Sequence, residues 1–245
     1  MDLDYAETAT VLIVEDDKEI RELIRLYLVK SGFRVEEAND GVSALRVFES
    51  ARPDLVLLDI QLPGGDGLTL CEQLRSVSNI PIVFVSARGE AEDIVHGLSL
   101  GADDYIPKPF DPAVVVARVK ANLRRAPIYR RYDASVPVPS RERTIPSEGI
   151  HIDTRKMTVH VNGQEVKMSA KEFMLLAFLA SRPDEVFSAS ELYEHVWGSD
   201  SNDDPRTVMV HIYNIRKKLE QDPANPRYII SVRGMGYRYE GTAAR

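Results

Sequence analysis

The stretch Leu55-Val56-Leu57-Leu58-Asp59 constrains the fold most, because four aliphatic residues run directly into a carboxylate. The turn-forming residues Pro63-Gly64-Gly65-Asp66-Gly67 follow closely. A short aliphatic run that ends in this way predicts a strand buried on both faces of a parallel sheet. Such sheets form ligand sites just outside the carboxyl ends of their strands. Since a charge beside a buried strand is costly unless something there needs it, Asp59 is a candidate functional residue.

A second group of carboxylates ends another predicted strand, where Val11–Val14 is followed by Glu15-Asp16-Asp17. If the two strands are neighbours, up to four carboxylates converge on one crevice. Like charges at that distance raise each other's pKa unless a cation neutralises them. Mg²⁺ is the expected cation, because it binds few carboxylates and keeps waters and a phosphate among its ligands. In the alternative interpretation these residues only cap the next helix, which leaves Asp59 without a role.

Residues 10–125 alternate predicted strands and helices five times. The predicted strands are Val11–Val14, Arg34–Ala38 at an edge, Leu55–Leu58, Ile82–Val85 and Asp104–Ile106. This alternation predicts an α/β domain with a doubly wound, five-stranded parallel sheet of the flavodoxin type. One face of the first helix is expected to carry Ile20, Leu23, Ile24, Tyr27 and Leu28 toward the core.

Residues 126–145 have prolines among arginines and no apolar period, which predicts a partly extended linker. The predicted domains are therefore residues 1–125 and 146–245. The second begins with strand patterns, in which Ile150 and Ile152, and then Met157, Val159 and Val161, alternate with polar residues. Asn162-Gly163 predicts a two-residue hairpin between strands.

Helix signals follow in the second domain. Ser169 with Glu172, and Ser188 with Glu191, predict capping boxes at two helix N-termini. Asp204-Pro205 predicts the start of a third helix that runs to about Gln221. The glycine-rich hairpin Arg233-Gly234-Met235-Gly236 comes last. Strands, three helices and a hairpin predict an α+β domain.

The net charge of −7 is unevenly distributed. Residues 1–125 hold 14 Lys+Arg against 22 Asp+Glu, whereas residues 206–239 hold seven basic and two acidic residues. The acidity argues against a general nucleic-acid binder, but the basic region allows a local one. Phe173–Ala180 is the longest apolar run, the N-terminus lacks signal-peptide features, and Cys71 is the only cysteine. We therefore expect a cytoplasmic protein with no membrane span, disulfide framework or thiolate metal site.

The carboxyl edge of the first sheet is expected to collect Glu15, Asp16, Asp59, Ser86 and Lys108. Together they suit phosphorylation of Asp59, because a carboxylate is a nucleophile for phosphoryl transfer and gives an acyl phosphate. Mg²⁺ would neutralise the phosphoryl oxygens, Lys108 would add a compact cation, and Ser86 would donate a hydrogen bond. Taken alone, a lysine in a loop is usually a solvated surface residue, and a serine at a strand end is usually a cap. The prediction therefore depends on the occurrence of all these residues together at one edge of the sheet.

These motifs resemble those of two-component response regulators of the OmpR/PhoB (winged-helix) family, and the resemblance covers nearly the whole chain. They are Val14-Glu15-Asp16-Asp17, Leu58-Asp59-Ile60-Gln61-Leu62-Pro63, Ser86-Ala87-Arg88, Gly101-Ala102-Asp103-Asp104-Tyr105 and Lys108-Pro109-Phe110. The resemblance implies a phosphoacceptor receiver domain at residues 1–125 and a winged-helix DNA-binding effector domain at residues 146–245.

The resemblance also implies residue roles in the receiver. Asp59 would accept a phosphoryl group from a sensor histidine kinase, with Mg²⁺ held by Glu15, Asp16, Asp59 and the backbone carbonyl of Gln61. Ser86 and Tyr105 would form the switch pair. Lys108-Pro109 would be a cis peptide, an isomer that is affordable only before proline, and would direct the lysine to the site. Arg88 is hypothesised to shield the acyl phosphate from water.

In this family, phosphorylation favours a homodimer through the fourth helix, fifth strand and fifth helix. The matching charges here are Asp103, Asp104, Arg118 and Arg125. Ile94 and Val114 stand where the family usually places a lysine and a glutamate. We hypothesise that an apolar contact replaces that ion pair and makes dimerisation less sensitive to salt; alternatively, both residues pack within their own subunit.

The third helix of the second domain suits DNA, because its Val208-Ile212-Ile215-Leu219 stripe must face the core. Its exposed side is predicted to carry Arg206, Thr207, Met209, His211, Tyr213, Asn214, Arg216, Lys217 and Lys218. A basic helix fits the major groove and its cations bind phosphate, while Arg233 on the hairpin could reach the minor groove. In the alternative interpretation, this side of the helix is simply exposed to solvent, as is common for Lys and Arg, and binds no DNA.

The resemblance implies two groups of DNA contacts on this helix. The DNA backbone would be held by Arg206, His211, Arg216 and Lys217, and the base edges would be faced by Thr207, Met209, Tyr213 and Asn214. Met209, Tyr213 and Asn214 depart from the residues that family members often carry, so no target sequence can be transferred. Gly198–Asp204 matches a loop with which some relatives contact RNA polymerase.

The sequence therefore predicts a transcription regulator that phosphorylation activates and whose dimers bind tandem half-sites in promoter DNA, about 10 bp apart. One alternative is an enzyme that uses an aspartyl-phosphate, such as a phosphatase. It would need a second acid/base carboxylate, yet Gln61 stands two residues after Asp59. The nearer alternative is a regulator of the same fold that binds DNA without phosphorylation.

Overall fold

The aliphatic run Leu55–Leu58 forms the central strand of a parallel sheet in the structure, a computed structural model that describes residues 9–63, 65–87, 91–123, 144–147, 149–198 and 205–240. The chain divides into two compact units, Met1–Arg124 and Arg125–Arg245. No helix in the described parts of either unit is both long and apolar enough to cross a membrane.

The first unit contains a five-stranded parallel sheet in the order β2-β1-β3-β6-β7. Its strands are β1 (Thr10–Val14), β2 (Arg34–Ala38), β3 (Leu55–Leu58), β6 (Ile82–Ser86) and β7 (Asp104–Pro107), and a short hairpin consists of β4 (Gln61–Leu62) and β5 (Gly65–Asp66). The helices are α1 (Lys18–Lys30), α2 (Gly41–Ala51), α3 (Gly67–Val77), α4 (Ala91–Ser99) and α5 (Pro112–Leu123). The predicted doubly wound parallel sheet is confirmed.

Helix starts in this unit follow local chemistry. Asp17, Asp40 and Asp66 are the N-caps of α1, α2 and α3, and each accepts hydrogen bonds from backbone N–H groups of the first turn. The predicted buried face of α1 is partly wrong, because Leu23 is 41% exposed whereas Ile24 is buried. Successive residues point about 100° apart around a helix, so the core takes the narrower stripe centred on Ile24 and Leu28.

The second unit has a four-stranded antiparallel sheet, three helices and a three-stranded sheet, as the predicted α+β architecture requires. The first sheet has the order β11-β10-β9-β8, with β8 (Thr144–Ser147), β9 (Ile150–Asp153), β10 (Thr158–Val161) and β11 (Gln164–Val166). The helices are α6 (Ala170–Ala180), α7 (Ala189–Trp197) and α8 (Pro205–Leu219). The last sheet has the order β12-β14-β13, with β12 (Val186–Phe187), β13 (Ile229–Val232) and β14 (Gly236–Tyr239).

Local signals were accurate in the second unit, with one exception. Both capping boxes form, at Ser169 and at Ser188, and Asn162 and Gly163 adopt the positive φ angles of 52° and 83° that a tight hairpin needs. Met157 does not belong to a strand as predicted: its φ is 56° and it precedes β10. Gly236 is required because a Cβ there would lie 1.9 Å from the carbonyl oxygen of Phe187, so β14 can approach β12 closely.

The predicted linker falls almost entirely outside the described residues. Only its last two residues are described, and both belong to β8. The first described strand of the second unit therefore begins before residue 146. The predicted N-cap Asp204 also lies outside the described residues, and α8 begins at Pro205.

Candidate functional site

The predicted carboxylate cluster forms at the carboxyl ends of β1 and β3. These strands are parallel neighbours with Val14 opposite Leu58, so the residues that follow them meet at one edge of the sheet. Glu15, Asp16 and Asp59 each offer an oxygen atom within 4.8 Å of the others. Glu15 and Asp59 are buried, whereas Asp16 is exposed.

Lys108 extends from the end of β7 into this cluster. Its Nζ atom lies 2.6 Å from Oδ2 of Asp59 and 2.8 Å from Oε2 of Glu15. The backbone N–H of Lys108 donates to the carbonyl oxygen of Ser86 (2.8 Å), the last residue of β6. The Lys108-Pro109 peptide is cis, as predicted. The structure thus brings Glu15, Asp59, Ser86 and Lys108 to one edge of the sheet.

Burial and neighbouring charges shift the pKa values of two residues in the cluster. Burial raises the pKa of Glu15, and the nearby charge of Asp59 raises it further, although Lys108 opposes both effects. Burial would lower the pKa of Lys108, but its hydrogen bond with Asp59 and its charge interactions with Asp59 and Glu15 outweigh this and raise that pKa. The pKa of Glu15 is therefore raised despite the nearby lysine.

The donor set fits Mg²⁺. All three side-chain groups are hard oxygen ligands, and two of them are held in place by the sheet. Among described atoms, Oε2 of Glu15 is buried and has an ion pair with Lys108 but no hydrogen bond of acceptable geometry. Gln61 lies against the same carboxylate cluster, because its N–H donates to Oδ1 of Asp59 (2.8 Å). An additional cation would satisfy the oxygen atoms that remain.

Two residues that support this site were missed from the sequence. Gly67 packs against the backbone of the site, since a Cβ there would lie 2.1 Å from the carbonyl oxygen of Asp59. Its only sequence signal was its place in a glycine-rich turn. The guanidinium of Arg21 donates to the carbonyl oxygens of Glu15 (2.7 Å) and Asp16 (3.2 Å), and no sequence signal indicated this.

The predicted switch residues Ser86 and Tyr105 lie on the neighbouring strands β6 and β7 and are both buried. Tyr105 pairs with Phe84 in register, two residues before Ser86. Arg88, the predicted shield of the acyl phosphate, lies outside the described residues.

Three of the charged residues predicted for the dimer interface, Asp103, Asp104 and Arg118, are buried within the chain. Oδ2 of Asp103 accepts from Arg75 (2.7 Å) and from the N–H of Ile82 (3.0 Å). Oδ1 of Asp104 accepts from Arg118 (2.6 Å). A buried carboxylate needs such partners, and these charges are consequently occupied inside the first unit.

The apolar members of the same predicted interface differ from each other. Ile94 is buried, with 4% of its surface exposed, whereas Val114 is half-buried. This favours packing of Ile94 within its own chain over a contact across a dimer. Arg125 lies outside the described residues.

In the second unit, three residues predicted on the exposed side of α8 are buried: Thr207, His211 and Asn214. His211 stacks edge-to-face on Trp197, with ring centroids 5.0 Å apart, and its Nδ1 donates to the carbonyl oxygen of Thr207 (2.8 Å). The three lie three or four residues apart on one side of the helix, beside the stripe that begins at Val208. The buried arc of α8 is therefore wider than its apolar stripe.

The exposed arc of α8 is centred on Met209 and Tyr213, which are 54% and 52% exposed. Lys217 is also exposed, and its Nζ lies 5.5 Å from the centre of the Tyr213 ring. Arg206 is half-buried on the same side of the helix.

Other predicted cations of this region have defined positions. Arg216 donates to the carbonyl oxygen of Ile229 through Nε (2.9 Å) and NH2 (2.6 Å), and NH2 also donates to Oγ of Ser231 (3.0 Å). Lys218 forms an ion pair with Glu172. Arg233 is exposed on the turn between β13 and β14. Of the loop Gly198–Asp204, only the first residue is described.

Comparison with known proteins agrees with both units. Residues 11–120 match the response regulator receiver domain, and residues 163–239 match the C-terminal domain of transcriptional regulatory proteins. The sensory transduction protein RegX3 of Mycolicibacterium smegmatis is 39% identical over 232 residues, which are 95% of this chain and 99% of that protein. The DNA-binding response regulator MtrA of Mycolicibacterium paratuberculosis is 40% identical over 228 residues, 93% of this chain and 96% of that protein.

The fold is also found among solved structures. A cysteine-to-serine mutant of RitR superposes with a TM-score of 0.74 at 25% identity, over 96% of this chain and 100% of that one. A receiver sheet with an acidic edge, followed by a winged-helix unit, defines a two-component response regulator. The chain belongs to the OmpR/PhoB family of these regulators.

Proposed function

We propose that this response regulator accepts a phosphoryl group on Asp59 from a histidine kinase and that phosphorylation controls its binding to promoter DNA. The observation that carries the proposal is the position of Lys108, whose Nζ lies 2.6 Å from the Asp59 carboxylate in a cluster that also contains Glu15. A cation at that distance can bind the phosphoryl oxygens that Asp59 would acquire.

In the proposed reaction, an Asp59 carboxylate oxygen attacks the phosphorus atom of a phosphohistidine. The new O–P bond forms as the N–P bond breaks, and the histidine nitrogen leaves with the electron pair. Glu15, Asp16, Asp59 and the Gln61 carbonyl would hold Mg²⁺, which neutralises charge on the phosphoryl oxygens when it is bound. Ser86 and Tyr105 are proposed as the switch pair, which would change conformation when Asp59 is phosphorylated. Beyond this phosphorylation and its reversal, we propose no catalytic activity.

The second unit is proposed to bind double-stranded DNA through α8 and the β13–β14 turn. The support is the basic, exposed surface that includes Lys217 and Arg233, since cations on a helix and an adjacent hairpin suit the phosphate backbone. Homodimers would bind tandem half-sites about 10 bp apart, and the loop before α8 would contact RNA polymerase. Residues 126–143 would connect the two domains, and the protein would act in the cytoplasm.

The test measures intact mass after incubation of the full chain with Mg²⁺ and acetyl phosphate, beside an Asp59→Asn control. We expect one added phosphoryl group on the native chain alone. DNA affinity is then compared with and without the modification. Addition to neither chain, together with DNA binding by both, would replace the proposal with a regulator that works without phosphorylation.

A further inference from the structure

The second unit exposes large apolar side chains at a basic surface. Among its described residues these are Met157, Met209, Tyr213 and Met235, and all but Met157 lie on α8 or on the turn between β13 and β14. Exposed apolar groups that gather on one pair of elements mark a contact surface. Met209 and Tyr213 are four residues apart, so they lie on the same face of α8.

Charge indicates the kind of partner. Lys217 is exposed one turn beyond Tyr213, and Arg206 lies three residues before Met209. Residues 206–239 hold seven basic and two acidic residues, in a chain whose net charge is −7. An apolar strip with a cation near each end fits the major groove of DNA, in which bases lie between two rows of phosphates.

The side chains that usually read purines are not available at the centre of this strip. Arginine reads guanine through two donors, and asparagine reads adenine through its amide. Asn214 is buried, and Nε and NH2 of Arg216 both donate to the carbonyl oxygen of Ile229. The centre of the exposed arc therefore presents a thioether and a phenol ring. The apolar group that the major groove offers to such side chains is the C5 methyl of thymine.

We infer that α8 selects its DNA mainly through apolar contacts from Met209 and Tyr213 to thymine methyl groups, so that each half-site contains thymines at fixed positions opposite this strip. The inference rests on the proposed DNA binding and specifies its target. Lys217 stabilises the arrangement, because its ammonium lies over the Tyr213 ring and can bind a phosphate from there.

The test begins with selection of bound duplexes from a random pool by the full chain, with and without acetyl phosphate. Each thymine of the enriched duplex is then replaced singly by deoxyuridine, which removes only the methyl group. We expect about a three- to tenfold loss of affinity at one or two positions in each half-site, from the burial of a single methyl group, and almost none elsewhere.

Three variants assign the contacts. Met209→Ala and Tyr213→Ala should each abolish the deoxyuridine penalty at their own position while they retain salt-dependent binding. Met157→Ala removes an exposed methionine that belongs to the connection between β9 and β10, and this variant should keep every penalty. Equal affinity for thymine and deoxyuridine at all positions would overturn the inference and leave DNA binding intact. Failure to enrich any duplex would overturn the proposed DNA binding itself.

Discussion

Lys108 and Asp59 form an ion pair in which the side chains expose only 14% and 5% of their surface, with Nζ 2.6 Å from Oδ2. A divalent cation at the acidic cluster would use the same carboxylate, so the lysine and the metal ion share one source of negative charge. Each therefore reduces the affinity of the cluster for the other.

This competition predicts that Lys108→Met binds Mg²⁺ roughly tenfold more tightly than the native chain. Isothermal titration of Mg²⁺ into both proteins at low salt measures the difference. Lys120→Met, which removes an exposed lysine of α5, is the matched control and should leave the affinity unchanged. Unchanged or weaker binding by Lys108→Met would show that the two cations do not compete.

Glu15 predicts a pH dependence of stability. Burial raises its pKa above the ordinary value of 4.5. Between the two pKa values the folded state retains a proton that the unfolded state has lost, so the free energy of unfolding falls as pH rises through this interval. Glu15→Gln removes this effect and should melt a few degrees higher than the native chain at pH 7 without divalent cations, as calorimetry of the full chain would measure.

The advantage of Glu15→Gln should shrink toward pH 4.5 and also on addition of Mg²⁺, which offsets the same charge. Glu22→Gln changes a carboxylate whose side chain is 62% exposed and is the control. A gain in melting temperature that is constant across pH would mean that the charge of Glu15 is not its cause.

Gly67→Ala is expected to damage the site through backbone contact. The new Cβ would lie 2.1 Å from the carbonyl oxygen of Asp59, so either α3 or the β3–β4 connection must move. Overpacking of this kind costs about 1–3 kcal/mol, and we expect slower phosphorylation by acetyl phosphate in addition. Gly41→Ala is the matched control, because no described atom lies within 4 Å of its Cβ position. Equal effects of the two substitutions would contradict the steric cause.

The pair Asp104 and Arg118 distinguishes a buried role from a surface role. Arg118→Met would leave a buried carboxylate with hydrogen bonds only from neutral groups, the side chain of Asn122 and the N–H of Tyr105, and removal of one member of such a pair costs about 3–5 kcal/mol. Arg25→Met, in an exposed pair with Glu37, should cost less than about 1 kcal/mol. Chemical denaturation measures both losses of unfolding free energy. A small loss for Arg118→Met would mean that its pair with Asp104 behaves like a solvent-exposed pair.

The acidic cluster could be predicted from the sequence because strand ends leave a clear signature. An aliphatic run that ends in Asp59, and a parallel neighbour that ends in Glu15, are sufficient to bring the carboxylates together. Gly67 could not be recognised, because its contact with the Asp59 backbone depends on how α3 returns across the end of β3. Glycine is common in turns whether or not another backbone segment packs against it, so its presence there did not indicate the contact.

Burial of polar residues was the main error, and it has one physical origin. A sequence pattern assigns polar side chains to solvent, whereas tertiary partners decide their burial. Asp103 is paired with Arg75, 28 positions away, and His211 packs on Trp197 from a different helix. Such pairs have no periodicity along the chain and are visible only after the elements have packed.

The hydrogen bonds from Arg216 to Ile229 and Ser231 connect α8 directly to β13. Because these hydrogen bonds hold α8 and the β13–β14 hairpin together, the two elements form one rigid surface. Neither can shift along a DNA duplex while the other stays in place. In the proposed complex with DNA, a base pair inserted between the contacts of the helix and those of the hairpin would then have to be accommodated by the DNA.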